Sequence, residues 1–290
     1  MSAEKDEHLA GTAAVTAWTI PEPVVPIDDA GARAAIRRVA DEAGALLNGV
    51  DDVGAPVPGS DWTVREAAAH LVTVFRAFAA SIEGRLDDWG APEGDAVARA
   101  IMEVEDSGNP RALAGHLEDA VQAFLTAAAG RSPDEIMGTP WYDRDRTHLV
   151  GAMTCLVLGE AVVHGYDLAQ AVGRPWPIEA DDARLIISGV FPAKVGVVAD
   201  PEATTDVDVT YELRVDGGPA FALRFADGTG VAGPAGSWPA HCLLEGDPVA
   251  IVLWVYGRTA SEELFASGRV RASGPDPSLG PRFKRFLRNP

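Results

Sequence analysis

The spacing of the apolar residues changes near Pro201, and this change constrains the fold more than any other feature of the sequence. Before it, apolar residues recur every three or four positions in four long segments, at residues 27–50, 63–84, 110–130 and 149–172. After it, the stretch "DVDVTYELRV" is apolar at every second position. A period near 3.6 predicts an amphipathic helix, and a period of two predicts a half-buried strand. A helical N-terminal part should therefore precede a part that contains a sheet.

These patterns predict two domains and an arm. Four long helices with facing apolar stripes predict a four-helix bundle over residues 27–178. Strands, a "DGGP" turn, a helix that ends at Gly257 and a final helix at residues 278–288 predict a smaller α+β domain over residues 200–290. Residues 1–26 carry no such pattern and are expected to form an N-terminal arm.

The charge of the chain argues against several classes of partner. Its 290 residues include 43 acidic and 24 basic side chains, a formal charge of −19. Phosphate backbones and anionic membranes attract basic surfaces, so we expect neither nucleic acid nor a membrane as a partner. The N-terminus lacks the basic start and apolar core of a signal peptide, and the longest apolar run, about 15 residues, is too short to span a bilayer. We expect a cytoplasmic protein.

The two cysteines are expected to be core residues. Cys155 and Cys242 lie in apolar stretches of different predicted domains. Neither belongs to a disulfide framework, and neither has metal-ligand spacing. A reducing compartment agrees with this usage.

A carboxylate stands in an apolar predicted helix. Glu160 lies in "LGEAVVHGYDLAQAVG", and residues 147–173 contain no Lys or Arg. A buried carboxylate needs a partner or gives up its charge. His164 follows four residues later, so the two side chains share a helix face and could bind one metal ion. The pair alone is a weak signal, because any helical protein can contain E-x-x-x-H by chance.

A third candidate ligand lies on the second predicted helix. His70, in "TVREAAAHLVTVF", stands at the border of the apolar face and would point toward the bundle interior. With Glu160 and His164 it would give two imidazoles and one carboxylate, a set that suits Zn²⁺ with an open fourth position. The alternative for His70 is a core histidine bonded to a backbone carbonyl.

Neighbouring carboxylates have alternative roles. Glu66 precedes His70 by four residues and could belong to a two-metal site, but "TVRE" is also a capping box in which Glu66 bonds back to Thr63. Asp167 follows His164 by three residues and could orient its ring. An exposed helix carboxylate is the alternative for Asp167.

The stretches around these candidates resemble a known family. "SDWTVREAAAHLVTVFRAFAASIEG", then "LGEAVVHGYDLAQAVGRPWPI" and "LEGDPVAIVLWVYGRTASEELFASGRVRASGP", are similar to the mycothiol-dependent maleylpyruvate isomerase family over residues 28–288. The resemblance implies a DinB-like four-helix bundle and a sterol-carrier-like α+β domain. The N-terminal arm and the basic stretch "RFKRFLR" near the C-terminus depart from the family pattern.

The resemblance also implies site residues and cofactors. The metal ligands would be His70, Glu160 and His164, the metal a divalent ion, usually zinc, and the thiol cofactor mycothiol. The family has a Gly-Arg step that is implicated in activity, and Gly257-Arg258 matches it here. Arg258 would then be a catalytic and cofactor-binding residue, and a surface salt bridge is its alternative role.

The leading interpretation is a metal- and mycothiol-dependent enzyme that uses a low-molecular-weight thiol and a small electrophilic substrate. Addition of a metal-bound thiolate would give either thiol-assisted cis–trans isomerisation or S-transfer, and the sequence does not choose between them. A second interpretation is a non-catalytic small-molecule or lipid-binding protein, because the C-terminal domain resembles lipid carriers. A third is a regulatory protein that senses metal or thiol. The oligomeric state does not follow from the sequence.

Overall fold

The computed structural model describes residues 23–86, 100, 102–140 and 146–288. Most of the predicted N-terminal arm, residues 1–26, lies outside the described residues. The helices are α1 (Asp29–Asn48), α2 (Val64–Ile82), α3 (Pro110–Ala129), α4 (Val150–Ala171), α5 (Ala180–Val198), α6 (Pro201–Thr204), α7 (Pro248–Val255) and α8 (Ser261–Ala266). The strands are β1 (Ile136–Gly138), β2 (Thr147–Leu149), β3 (Asp208–Val215), β4 (Ala220–Ala226), β5 (Thr229–Pro234), β6 (Cys242–Gly246) and β7 (Val270–Ser273), and a 3₁₀ helix spans Pro277–Phe286.

The first four helices form the predicted bundle. α1 and α2 each pack against both α3 and α4. On α1 the buried side chains recur at helical spacing and include Ala32, Ile36, Val39, Ala43 and Leu47. α4 is buried around most of its circumference, which explains why its sequence is apolar almost throughout.

Side-chain hydrogen bonds set where three of these helices begin. At α3 the Asn109 side chain accepts from the Arg111 backbone N–H. The Asp28 carboxylate accepts a hydrogen bond from the first turn of α1. At α2 the Glu66 carboxylate accepts from the Thr63 backbone N–H at 2.8 Å, and the Thr63 hydroxyl accepts from the Glu66 backbone N–H at 3.4 Å. The predicted capping box is therefore confirmed, and it fixes the start of the helix that carries His70, one turn after Glu66.

A short antiparallel pair of strands joins α3 to α4. β1 pairs with β2 so that Met137 lies opposite His148, and both side chains are buried. The sequence shows no strand pattern here, because strands of 3 residues are too short to show an alternation. The pair anchors the start of α4, which begins directly after Leu149.

The C-terminal part is built on a five-stranded mixed sheet with the order β5-β4-β3-β6-β7. The central strand β3 pairs antiparallel with β4 and parallel with β6. Tyr211, Leu213 and Val215 enter the core, as the alternation predicts. Thr210 and Glu212 on the other face are buried as well, because a central strand is covered on both sides.

Two elements of this part differ from the sequence prediction. β5 is an additional strand that the sequence does not predict, because Gly230, Gly233 and Pro234 interrupt the apolar alternation. It lies at the edge of the sheet, where a proline is tolerated. The final helix at residues 278–288 is instead a 3₁₀ helix at Pro277–Phe286. Gly280 and Pro281 interrupt the α-helical pattern, and Gly280 packs so closely against neighbouring side chains that a Cβ would overlap them.

α5 joins the bundle to the sheet. It packs against α4 on one side and contacts β5 and α7 on the other. Gly189 on α5 lies against the side chain of Cys155 on α4, and the missing Cβ permits the close approach of the two helices. The predicted order, a helical N-terminal domain followed by a C-terminal sheet domain, is confirmed. Among the described helices, none has both the length and the apolar character needed to cross a membrane.

Candidate metal centre

A cavity of about 470 Å³ lies between the bundle and the C-terminal sheet. α2 and α4 supply its polar end, and α5, α7 and the C-terminal 3₁₀ helix supply much of the remaining wall. Most of that wall is apolar and includes Leu156, Phe191, Val195 and Phe283. The volume is typical of pockets that bind small molecules.

The three predicted ligands converge at the polar end. Nε2 of His70 lies 3.2 Å from Oε2 of Glu160, and Nε2 of His164 lies 3.4 Å from the same oxygen. One ligand atom from each residue lies within 4.8 Å of the other two. The structure therefore brings together side chains from α2 and α4, and His70 and His164 are 94 residues apart in sequence.

The helices account for this convergence. Glu160 and His164 are one turn apart on α4 and project from the same face. α2 packs beside α4 and brings His70, which is 8% exposed, to the same point. The Glu160 side chain keeps 23% of its surface accessible because it faces the cavity rather than the protein interior.

A buried ion pair supports His164 from behind. Nδ1 of His164 lies 3.0 Å from a carboxylate oxygen of Asp167, which is only 5% exposed. The Arg258 guanidinium donates to both oxygens of Asp167, from Nε at 3.0 Å and from Nη2. Of the two roles considered for Asp167, the exposed helix carboxylate is wrong, and the contact with His164 fits the orienting role.

A turn at the Gly257-Arg258 step follows the end of α7. Gly257 has a φ of 83°, in the left-handed region that glycine adopts without strain. The turn aims Arg258 back at α4, where it meets Asp167, 91 residues away in sequence. Its Nη1 donates to the Tyr256 carbonyl at 2.5 Å. The salt bridge of Arg258 is thus made with a buried carboxylate beside a candidate ligand, not with a surface group.

The four polar groups determine one another's protonation. Burial would raise the pKa of Glu160, but hydrogen bonds with His164 and His70 outweigh it and hold that pKa far below its ordinary value. Burial lowers the pKa of His70. Burial acts on His164 in the same direction, but hydrogen bonds with Asp167 and Glu160 outweigh it and raise the pKa. An ionised carboxylate therefore lies between an imidazole that favours the neutral form and one that accepts a proton readily.

This donor set fits a divalent metal ion. Two imidazoles and one carboxylate are a set that zinc uses in catalytic sites, where a fourth position stays open. The contact of Asp167 with Nδ1 of His164 directs Nε2 toward Glu160, as a carboxylate does for metal-binding histidines. Glu66, the possible further ligand, is instead engaged in the capping box with Thr63.

The sequence reasoning missed one aromatic residue at this site. The Trp62 ring stacks on His164 with 5.7 Å between centroids and lies 4.9 Å from the His70 ring. It also lines the cavity. The available signal was its position directly before Thr63, the residue that caps the helix of His70.

Neither cysteine lies at the cavity. Both are buried and free, which confirms that they are core residues. Burial raises the pKa of Cys155 to about 12 and that of Cys242 to about 11. Their thiols stay protonated at neutral pH, so this chain has no cysteine suited to act as a nucleophile.

Comparisons with known proteins agree with this architecture. The sequence matches the family model of the mycothiol maleylpyruvate isomerase N-terminal domain over residues 32–169 and that of the MDMPI C-terminal domain over residues 181–281. Among curated proteins, none matches the sequence significantly.

Two solved structures share the fold. They are crystal structures of the mycothiol-dependent maleylpyruvate isomerase and of its mutant with one histidine changed to alanine. Each is 17% identical to this chain, and each alignment covers 87% of this chain and 95% of the other, with TM-scores of 0.50 and 0.51. Since the two family models together match most of the sequence, this chain belongs to the mycothiol-dependent maleylpyruvate isomerase family.

Proposed function

We propose that this protein is a metal- and mycothiol-dependent enzyme that joins a low-molecular-weight thiol to an electrophilic small molecule. The reaction would be either S-transfer or thiol-assisted cis–trans isomerisation. The observation that carries the proposal is the convergence of His70, Glu160 and His164 at one end of a ligand-sized cavity. Membership of the family supports mycothiol as the thiol.

His70, Glu160 and His164 would hold the divalent metal ion, which we propose to be zinc. Bound there, the ion would supply a net positive charge that favours the thiolate form of a thiol at neutral pH. The burial of both Cys155 and Cys242 supports a thiol that comes from outside the chain.

Asp167 and Arg258 would prepare His164 for this role. Asp167 accepts a hydrogen bond from Nδ1–H of His164 and so keeps Nε2 as the nitrogen that faces Glu160. Burial would raise the pKa of Asp167, but hydrogen bonds with His164 and Arg258 outweigh it and keep the carboxylate ionised. Arg258 also borders the cavity, so its charge is close to any oxyanion that forms on a bound ligand. We assign it a positioning role through Asp167 and an electrostatic role toward the ligand.

Metal content tests the proposal directly. Tag-free wild type, His164→Ala and His116→Ala are analysed by mass spectrometry after purification and again after zinc is supplied. His116 is the matched control, because it lies on α3, away from the cavity, and its ring bonds to the Glu105 carbonyl. We expect about one zinc per chain in wild type and in the control, and loss of zinc in His164→Ala.

Turnover completes the test. With metal present, consumption of an electrophile should require mycothiol and should disappear in His164→Ala. Wild type that binds no metal even after zinc is supplied would contradict the proposed function.

A second candidate function is the non-catalytic binding of a small apolar molecule. The predominantly apolar wall of the cavity favours it. The same preparation separates the two functions: metal-free protein that carries a lipid, detected by native mass spectrometry, would support the binding protein.

A further inference from the structure

The C-terminal segment, residues 282–288, forms one wall of the cavity. Phe283, Lys284, Leu287 and Arg288 line it. The match to the family model of the C-terminal domain ends at residue 281 and so does not cover this wall. The side chains of this wall therefore indicate what it binds.

This segment is held firmly in the folded domain. The Phe283 ring packs edge-on against Tyr211 with 5.0 Å between centroids, and the Phe286 ring stacks on Phe225 at 5.4 Å. The backbone N–H of Arg288 donates to the carbonyl of Val198, at the end of α5, at 2.7 Å. The side chains that lie between these anchors are therefore held against the cavity.

Lys284 is a cation of this wall whose burial the described part of the fold does not compensate with a nearby negative charge. It is half-buried, and burial followed by the nearby Arg258 charge lowers its pKa. Among the described residues, no carboxylate raises the pKa of Lys284 to offset these two causes. Arg258, in contrast, already has Asp167 as its counter-charge.

A cation in this position suits an anionic ligand. Removing an ammonium group from water is costly unless a charged partner compensates it. A ligand carboxylate would supply that partner through charge-assisted hydrogen bonds. With a net charge of −19, the protein as a whole repels anions, and the cations that line the cavity, Lys284 among them, counter this repulsion locally.

The surface beside Lys284 is apolar. Phe283 and Leu287 belong to the same segment, and Phe191 and Leu223 line the cavity as well. A compact acid with two or more charges would leave this apolar surface in contact with water or with the charged groups of the acid itself. A molecule with one anionic end and an apolar body would cover it.

We propose that the C-terminal segment selects the substrate: Lys284 binds the carboxylate, or a similar anion, of an amphipathic organic acid. Phe283 and Leu287 pack against the apolar body of that acid. The inference rests on the proposed function only in calling this acid the substrate, because its binding needs neither thiol nor turnover.

Calorimetry with a defined probe tests this inference. 4-Phenylbutyrate is titrated into full-length, metal-loaded protein without thiol, and 4-phenylbutanamide serves as the uncharged probe of nearly the same shape. Wild type is compared with Lys284→Gln and with Arg285→Gln. Arg285 is the matched control because it lies in the same segment, is exposed and does not line the cavity.

We expect Lys284→Gln to weaken binding of the acid about tenfold or more and Arg285→Gln to weaken it less than about twofold. Binding of the amide should be the same in wild type and Lys284→Gln, which also shows that the variant keeps its cavity. Equal losses in both variants, acid binding that is unchanged in Lys284→Gln, or no binding of the acid to wild type would overturn the inference. Tighter binding of fumarate than of 4-phenylbutyrate would overturn the proposed class of acid.

The His164→Ala variant separates this inference from the proposed function. If wild type takes up no metal but 4-phenylbutyrate still binds in a Lys284-dependent way to both wild type and His164→Ala, the inference stands and the proposed function fails. If wild type takes up zinc that His164→Ala loses, but the acid does not bind, the inference alone fails.

Discussion

At the scale of single residues, Asp167 is the group on which the candidate site depends most. It contacts His164 on its own helix and accepts two hydrogen bonds from Arg258 of the C-terminal domain. Because both partners bond to the same buried carboxylate, a change in the position or charge of one partner affects the hydrogen bond to the other. Its charge is therefore the property to alter first.

We expect Asp167→Asn to weaken zinc binding about 10-fold to 100-fold, because the neutral amide orients His164 less firmly and leaves Arg258 without its counter-charge. Competition with a chromogenic chelator measures the affinity. Asp206→Asn is the control, since Asp206 is exposed and lies outside the cavity. An affinity for Asp167→Asn that equals the control would show that the contact with His164 has no influence on metal binding.

A double-mutant cycle shows whether Arg258 acts through Asp167. Arg258→Gln should also weaken zinc binding, and the Asp167→Asn, Arg258→Gln double variant should lose less affinity than the two single losses combined. Fully additive losses would mean that Arg258 acts on the metal site by a separate route.

These residues differ in how far the sequence predicts them. Glu160 and His164 carry a local signal, because their spacing on a helix brings them together whatever surrounds the helix. The contact between Asp167 and Arg258 carries none, since 91 residues separate them and only the docking of the two domains makes the pair. Lys284 is visible in the sequence only as one of several basic residues near the C-terminus.

At the scale of elements, α4 depends on glycine where other segments cross it. A Cβ at Gly165 would overlap the Trp176 ring, whose Nε1 donates to the Val162 carbonyl at 3.2 Å. The glycine thus lets the linker after α4 lie against the helix directly beside His164. Gly189, on α5, likewise has no Cβ that would overlap the Cys155 side chain, so α5 can pack closely against α4.

We expect Gly165→Ala to lower the free energy of unfolding by about 1–3 kcal/mol, because the Trp176 ring must move. Gly115→Ala is its counterpart on α3, where the glycine is exposed and a Cβ meets nothing within 4 Å. That change should raise the free energy of unfolding by about 0.5–1 kcal/mol through helix propensity. Urea denaturation measures both, and a Gly165→Ala variant as stable as Gly115→Ala would refute the close contact.

The capping box of α2 should give part of the acid sensitivity. Hydrogen bonds with Thr63 lower the pKa of Glu66 from its ordinary 4.5. The stabilisation from this carboxylate is therefore present above the unfolded-state pKa and is lost as the pH falls through the lower folded-state pKa. Glu66→Gln keeps an acceptor for the Thr63 N–H but does not titrate.

Wild type should then have the higher free energy of unfolding at neutral pH, and the difference from Glu66→Gln should shrink in acid. Denaturation of chelator-treated protein across this pH range measures the difference, and chelation removes any contribution of bound metal. A difference that stays constant from neutral to acid pH would rule out the titration of Glu66 as its source.

The elements also show which part of the fold the sequence can predict. The bundle helices are long enough for their period to emerge, and their caps are local. β1 and β2 are too short for a pattern, and in β5 Gly230 and Gly233 replace the side chains that would reveal one. The packing of α5 on α4 follows from the fit of Gly189 to Cys155, which no local pattern expresses.

At the scale of the whole molecule, the cavity belongs to both domains. The bundle supplies His70, Glu160 and His164, and the C-terminal domain supplies Arg258 and Lys284. A metal ion held by the bundle would therefore influence the C-terminal domain through the chain of contacts from His164 to Asp167 to Arg258. Such a link between domains is a coupling free energy that a local probe can detect.

We expect zinc to slow amide hydrogen exchange several-fold in peptides that cover residues 253–258, because a fixed His164 restrains Asp167 and so Arg258. Peptides from β7, which contributes no residue to the cavity lining, should exchange at the same rate with and without zinc. In Asp167→Asn, zinc at a saturating concentration should still protect α4 but no longer residues 253–258. If it protects both segments in that variant, the two domains are coupled by their wider packing and not by the Asp167–Arg258 pair.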